Sequence, residues 1–200
     1  MTLDHVGAFL YPEHEVLRIV GRIAFPLFSY LLVLGAESTR SIRAYLLRLL
    51  VFAALSQLPY SLVNGYAPLE VFNIFFTLAF GLLFLVNSLF LIPLLLLSMV
   101  VQFDYGVYGV LLIACLRLLR ERTTWGVVAY VAYSLLLLTV YTIQHYQLLA
   151  LPLILLHHTG YISKARVVEG PTAYPAWRKY LFYLYYPAHL TLLYLIHVGL

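Results

Sequence analysis

Apolar residues run through this chain in long blocks, cut apart by short polar interruptions. Reading the blocks between charged or turn-rich breaks gives nine segments, near 1–11, 17–36, 42–63, 71–86, 88–103, 106–120, 125–142, 146–162 and 181–199. The breaks carry turn chemistry: "YPEHE" at 11–15, "ESTRS" at 37–41, "NGYAP" at 64–68, "RERTT" at 120–124 and "EGPTAYP" at 169–175. Several blocks approach the roughly 20 residues that carry a helix across a bilayer. The first is too short to span at about 1.5 Å per residue, so either helix one is partial or the natural chain starts further upstream. Segments four and five part only near Asn87-Ser88; as one bent or re-entrant unit they would break the parity of nine crossings. The predicted architecture is all-α: a polytopic membrane bundle of about nine segments, the first truncated, in a single domain over 1–200.

Composition makes the bilayer unavoidable. The chain is 64% hydrophobic and 10% charged, against roughly 45–50% and about 25% in soluble domains. Its mean hydropathy is +0.93. Eighteen tyrosines suit membrane interfaces, where the ring is buried and the hydroxyl stays wet. The net charge of +4 is too small and too dispersed for nucleic acid. Cys115 reads as a small core residue.

Charge also orients the bundle. Arg40, Arg43 and Arg48 follow segment two, Arg117, Arg120 and Arg122 follow segment six, and Lys164, Arg166, Arg178 and Lys179 follow segment eight. Glu13, Glu15, Glu70 and Asp104 fall after odd-numbered segments. With nine crossings the basic loops share the cytoplasmic side and the C-terminus lies outside.

Polar groups at membrane depth are the functional candidates, because an ionisable residue at the centre of a span costs about 2.5–3.5 kcal/mol. Asp4 and His5 stand side by side in segment one, so on a helix they diverge and Asp4 needs another partner. Arg22 in "GRIAFPLF" lies at similar depth and would pair with Asp4, with Pro26 kinking the helix one turn further in. His189 follows Pro187 among Tyr180, Tyr183, Tyr185 and Tyr186, where it lines a cavity or bonds a tyrosine. Asn73, Thr77 and Gly81 recur every four residues on one face, the spacing of a packing seam. No histidine pair has metal-ligand spacing: His157 and His158 are adjacent and diverge. These residues by themselves leave an enzyme, a transporter or a channel open.

In order, "MTLDH", "GRIAFPLFSYLL", "RLLVFAALSQLPYSL", "NIFFTLAFG", "DYGVYGVLLI" and "KYLFYLYYPAHL" resemble the TraX family over nearly the whole chain. The family is named for conjugative-pilus proteins that N-acetylate pilin, and it is similar to a larger group of membrane acyltransferases. The resemblance implies acetyl-CoA as cytosolic donor, no metal, and an acceptor amine or hydroxyl on the far side of a bacterial inner membrane, on a pilin-like protein or an envelope glycan. His5 corresponds to the catalytic base, with Asp4 beside it and Arg22 and Pro26 in the following element. His189, one of the nearby hydroxyls of Tyr180, Tyr183, Tyr185 and Tyr186, or Asn73 would serve the developing oxyanion, and Arg40, Arg43 and Arg48 the phosphates of CoA. Those arginines equally satisfy membrane topology alone. The competing expectations are a small-solute transporter or channel, and a non-catalytic pilus or envelope assembly factor.

Overall fold

The computed structural model describes residues 1–139, 143–161 and 178–199. Ten helices occupy most of them: α1 (Thr2–Phe9), α2 (Glu15–Gly21), α3 (Ala24–Ser38), α4 (Ile42–Asn64), α5 (Ile74–Val86), α6 (Leu91–Ser98), α7 (Gly106–Glu121), α8 (Thr123–Leu136), α9 (Leu151–His158) and α10 (Arg178–Gly199). Two-residue strands β1 (Val71–Phe72) and β2 (Gln102–Phe103) pair in parallel between them. Three stretches are long and apolar enough to cross a bilayer: 15–38, 42–64 and 180–199. The apolar helices at 74–86, 88–98 and 123–139 are shorter. The fold is all-α, and its lipid-suited exterior carries exposed Leu47, Leu55, Leu58, Leu96 and Leu192.

The segment expected at 17–36 is one arm broken at Arg22–Ile23, a turn ahead of Pro26 rather than at it. The cause is local. Proline offers no amide to the carbonyl four residues back, and its ring crowds that carbonyl. The ladder loosens there, with Ile23 N–H reaching Val20 at 3.3 Å and Leu27 N–H reaching Ile23 at 3.4 Å. By contrast α4 is regular at both ends. Ser41 Oγ accepts from Ala44 N–H at 3.2 Å, and Gly65 closes the helix at φ +69°, a conformation open to glycine without strain.

The segment expected at 88–103 divides into a 3-10 turn at Ser88–Phe90, α6 and β2. Val71 stands opposite Gln102 and Phe72 opposite Phe103. This small ladder is set by buried polar chemistry. Asn73 is fully buried, and its amide donates to the Ala53 carbonyl at 2.7 Å and to Gln57 Oε1 at 2.8 Å. Gln57 in turn donates to the Val71 carbonyl at 2.8 Å. Asn73 Oδ1 caps α5 by accepting from Phe75 N–H at 3.1 Å.

Helix α7 is the central post. Leu112, Ile113, Leu116 and Leu119 are wholly buried against α3, α5, α6 and α8. At one end of the bundle Arg120 donates to Glu37 at 2.8 Å and contacts His158 at 3.3 Å, and His158 meets Thr123 at 2.9 Å. Arg40, Arg43 and Arg122 are exposed at this basic end. Glu13, Glu15 and Glu70 are exposed at the opposite, acidic end. Lys164, Arg166 and the break at 169–175 lie outside the described residues.

Helix α1 folds back on α2 as a tight hairpin and leans on α10. Two glycines permit the approach. A Cβ on Gly21 would stand 2.2 Å from Asp4 Cβ and 2.6 Å from Asp4 Cα, and one on Gly7 would stand 2.9 Å from Leu17 Cβ.

Candidate functional site

A cavity of about 480 Å³ opens inside the bundle, within the usual range of roughly 300–1,000 Å³ for small-molecule sites. Its wall includes Tyr45 and Leu49 near the start of α4 and Tyr60 and Asn64 near its end. That separation is about 28 Å at 1.5 Å per residue, close to the roughly 30 Å hydrocarbon core. The middle is apolar, walled by Phe28, Leu31, Leu32, Leu78 and Phe182. Polar groups gather toward the acidic end, where Asp4, His5, Arg22, Asp104, Tyr105 and Tyr186 line the same space.

The expected Asp4–Arg22 ion pair is formed, from Arg22 Nη2 to Asp4 Oδ2. Both side chains are nearly covered, at 11% and 13% exposure. Arg22 Nη1 also donates to Gln144 Oε1 at 3.0 Å and to the Tyr105 hydroxyl at 3.3 Å. One guanidinium thus ties α1 to the α2–α3 break, to the 3-10 turn at Gln144–Ala150 and to the loop before α7. The loosened ladder above Pro26 is what lets Arg22 stand at the crossing. Pro26 is buried behind the cavity wall, with neighbouring Phe25 lining it and stacked on Tyr105 at 3.9 Å between centres.

His5 and His189 lie far apart in sequence and meet here. His5 Nδ1 is 2.9 Å from His189 Nε2, and the rings are nearly parallel at 5°. His189 Nδ1 is 2.8 Å from the Tyr185 carbonyl, which only accepts. These partners fix the tautomers of the neutral pair. His189 donates from Nδ1 to the carbonyl, so its Nε2 accepts from His5 Nδ1–H. The lone pair of His5 is then left on Nε2, which has no hydrogen-bond partner among the described residues. His5 lines the cavity, whereas His189 is 6% exposed and stands behind it. The chain carbonyl–imidazole–imidazole holds a proton acceptor in a fixed orientation. Asp4 is committed to Arg22 and takes no part in it.

Tyr186 is 2% exposed, lines the cavity, and its hydroxyl donates to no described residue. Its ring centre is 6.4 Å from that of His5. Pro187 follows it within α10, between Tyr186 and His189. Asn73 is outside the cavity wall and both its amide hydrogens are used on α4, so it is no free donor. Thr77 donates to the Asp104 carbonyl, and its methyl faces the Gly109 backbone. Gly81 likewise meets Ile113 of α7. The Asn73–Thr77–Gly81 face is therefore the seam of α5 with α4 and α7.

At the basic end Arg40 and Arg43 are exposed, without an ion-pair partner among the described residues. Arg48 is half-buried over the Tyr45 ring, 5.4 Å from its centre, and both Arg48 and Tyr45 interact with Tyr183. None of the three arginines lines the cavity, but Tyr45 and Tyr183 do. Arg48 thus flanks one mouth.

Gly21, Asp104, Tyr105 and Gln144 belong to the site and were not among the sequence candidates. Gly21 sets how closely α1 approaches, and its signal was its place beside Arg22 in the "GR" element. Asp104, read in sequence as one acid of an outer loop, turns inward to line the cavity. It lies between α6 and α7, outside the helices, and burial pushes its carboxyl up to about 7 against the opposing pull of Arg22.

Comparison with known proteins agrees with this arrangement in extent. The sequence model described as TraX protein matches residues 1–197. The chain is 30% identical over 223 residues to a probable fimbrial assembly protein FimC, serogroup H1, of Dichelobacter nodosus, covering 96% of this chain and 89% of that one. A short stretch of 30 residues is 57% identical to the uncharacterized protein RP591 of Rickettsia prowazekii (strain Madrid E), covering 15% of this chain and 12% of that one. No solved structure matches.

Proposed function

The chain belongs to the TraX family, and from that premise and the cavity we propose that it is an integral membrane acetyltransferase using acetyl-CoA. In this reading the bundle crosses a bacterial inner membrane with the basic end in the cytoplasm. CoA docks at Arg40, Arg43 and Arg48, and the thioester reaches His5 through the apolar middle of the cavity. The acceptor, an amine or hydroxyl on a pilin-like protein or an envelope glycan, arrives from the acidic end. One observation carries the reading: a cavity-lining imidazole has its lone pair left free on Nε2 by the His189–Tyr185 chain, at the depth of an otherwise apolar bundle.

The chemistry follows from that lone pair. The acceptor heteroatom attacks the thioester carbonyl carbon while its proton passes to His5 Nε2. Negative charge collects on the carbonyl oxygen, where the Tyr186 hydroxyl is free to donate. The carbon–sulfur bond then breaks, and the CoA thiolate leaves with the proton from His5. Imidazole suits both transfers because its ordinary pKa of about 6.5 lies near neutrality. His189 acts through His5, fixing its tautomer and spreading the charge that forms.

The test is acetyl transfer by purified protein in lipid nanodiscs, with labelled acetyl-CoA and a pilin-like amino-terminal peptide. His5→Ala should lower kcat by about 10²–10⁴-fold, the span of general base catalysis, without altering insertion or acetyl-CoA binding. His189→Ala should lower it less and shift the pH profile, and His189→Gln, whose carbonyl can accept from His5, should restore part of the loss. Transfer unchanged in His5→Ala would sink the reading. The name of the Dichelobacter nodosus relative favours one alternative, an assembly factor without catalysis. That alternative predicts pilus assembly intact in His5→Ala.

A further inference from the structure

The cavity holds two carboxylates, and only one is answered. Asp4 is neutralised by Arg22 and lies near Arg18, 3.9 Å away. Asp104 receives no hydrogen bond or ion pair on its carboxylate from any described residue, and both terminal nitrogens of Arg22 are already taken. With only the longer-range pull of Arg22 to offset its burial, a carboxylate inside a bundle is costly to keep.

The backbone shows that its position is built. Asp104 N–H donates to the Phe72 carbonyl at 2.8 Å, and its own carbonyl accepts from Thr77. The next residue, Tyr105, has φ +62°, a conformation that a bulky side chain rarely adopts, and Gly106 follows at φ +42°. Strain of this kind, about 1–3 kcal/mol per residue, persists where surrounding structure imposes it. Its effect here is that two consecutive side chains, Asp104 and Tyr105, both line the cavity. Tyr60, Phe75 and Tyr186 complete an aromatic surround on the same wall. A carboxylate among aromatic faces is the chemistry that holds a cation with hydrogen atoms to donate.

We propose that Asp104, with Tyr60, Tyr105 and Tyr186 around it, is the acceptor subsite and receives a primary ammonium group. This deepens the acetyltransferase reading and rests on it, and what it adds is a residue, Asp104, that selects an ammonium-bearing acceptor over a hydroxyl. The balance of the step is RNH₃⁺ plus acetyl-CoA giving the acetamide, CoA-SH and H⁺. Asp104 holds the ammonium, and His5 takes its first proton and passes it to solvent. The freed amine forms the carbon–nitrogen bond, and as the carbon–sulfur bond breaks the second proton goes to the thiolate.

Asp104→Asn keeps the shape and removes the charge. In nanodiscs, the variant should raise KM for an amino-terminal peptide at least tenfold, with acetyl-CoA binding, which falls to the arginines of the opposite end, unchanged. A second measurement needs only the unaltered protein. Butylammonium should compete with the peptide and raise the Tm in the absence of acetyl-CoA, whereas butanol should do neither. Unchanged peptide KM in a folded Asp104→Asn variant, or equal effects of butanol and butylammonium, overturns the subsite while leaving the acetyltransferase reading intact. Butylammonium binding that needs Asp104, without transfer to any acceptor, supports the subsite and overturns the acetyltransferase reading instead.

Discussion

Gly21→Ala tests whether the seat of α1 sets the catalytic geometry. The added methyl carbon would stand 2.2 Å from Asp4 Cβ, 2.6 Å from Asp4 Cα and 2.8 Å from Asp4 N. Carbon atoms are comfortable at about 3.5–4.0 Å, so α1 must retreat by about 1.3 Å at this point. No rotamer relieves it, because two of the three atoms are backbone. His5 is the next residue, and its bond to His189 is already 2.9 Å. Little of the roughly 2.7–3.2 Å hydrogen-bond range is left to absorb such a shift. Overpacking of this kind costs about 1–3 kcal/mol of stability, and a misplacement near 1 Å costs about 10²-fold in rate. The expected result is a folded protein with kcat down about 10²-fold and acetyl-CoA affinity unchanged, since Arg40, Arg43 and Arg48 lie at the other end. Gly199→Ala, where nothing stands within 4 Å, serves as the control. If Gly21→Ala is folded and within threefold of wild-type activity, the position of α1 does not set the base and the reasoning fails.

Three further outcomes are expected. Arg40→Ala/Arg43→Ala should weaken acetyl-CoA binding, more so at low salt, and leave kcat at saturating donor unchanged; calorimetry and steady-state rates separate the two. Asn73→Ala strips the Ala53 carbonyl and Gln57 of buried partners, so it should cost about 1–3 kcal/mol in thermal unfolding, while whatever protein remains folded keeps its KM values. Asp104, pushed up to about 7 by burial and facing Arg22 and Asp4, gains a proton as pH falls below neutrality. Peptide KM should therefore rise on the acid side of about pH 7, and a KM profile that is flat there in the wild type, or sloped in Asp104→Asn, contradicts the assignment.

The helices were legible because apolar runs and polar breaks are local. Segment 42–63 is α4 to within a residue, and "NGYAP" closes it through Gly65. The break in the arm 15–38 was announced by Pro26, though the chain yields at the carbonyl the ring crowds, a turn earlier. The β1–β2 ladder was not legible. Two-residue strands have no period, and this pair exists because Gln57, sixteen residues before Asn73, reaches the backbone of both Val71 and Asn73. The seam through Asn73, Thr77 and Gly81 was visible as spacing, but its partners on α4 and α7 were not.

The two aspartates show why half of the site could be read and half could not. Asp4 stands in an apolar run where a charge is anomalous, and Arg22 is a second anomaly at matching depth, so pairing them required only arithmetic along two helices. Asp104 stands in a polar break, among residues whose charge explains itself by solvent. Nothing within "QFDYG" separates an acid that faces water from one that faces a cavity. The difference arises from contacts remote in sequence: Phe72 holds its amide, Thr77 its carbonyl, and the turn through Tyr105 aims its side chain. His5 and His189 follow the same logic. Each was conspicuous alone, but the direction of the His5 lone pair exists only once α1 and α10 are side by side. The chemistry of a bundle like this one is therefore announced residue by residue and decided by the α1–α2 hairpin and the loop before α7, and those are the two elements that Gly21→Ala and Asp104→Asn perturb separately.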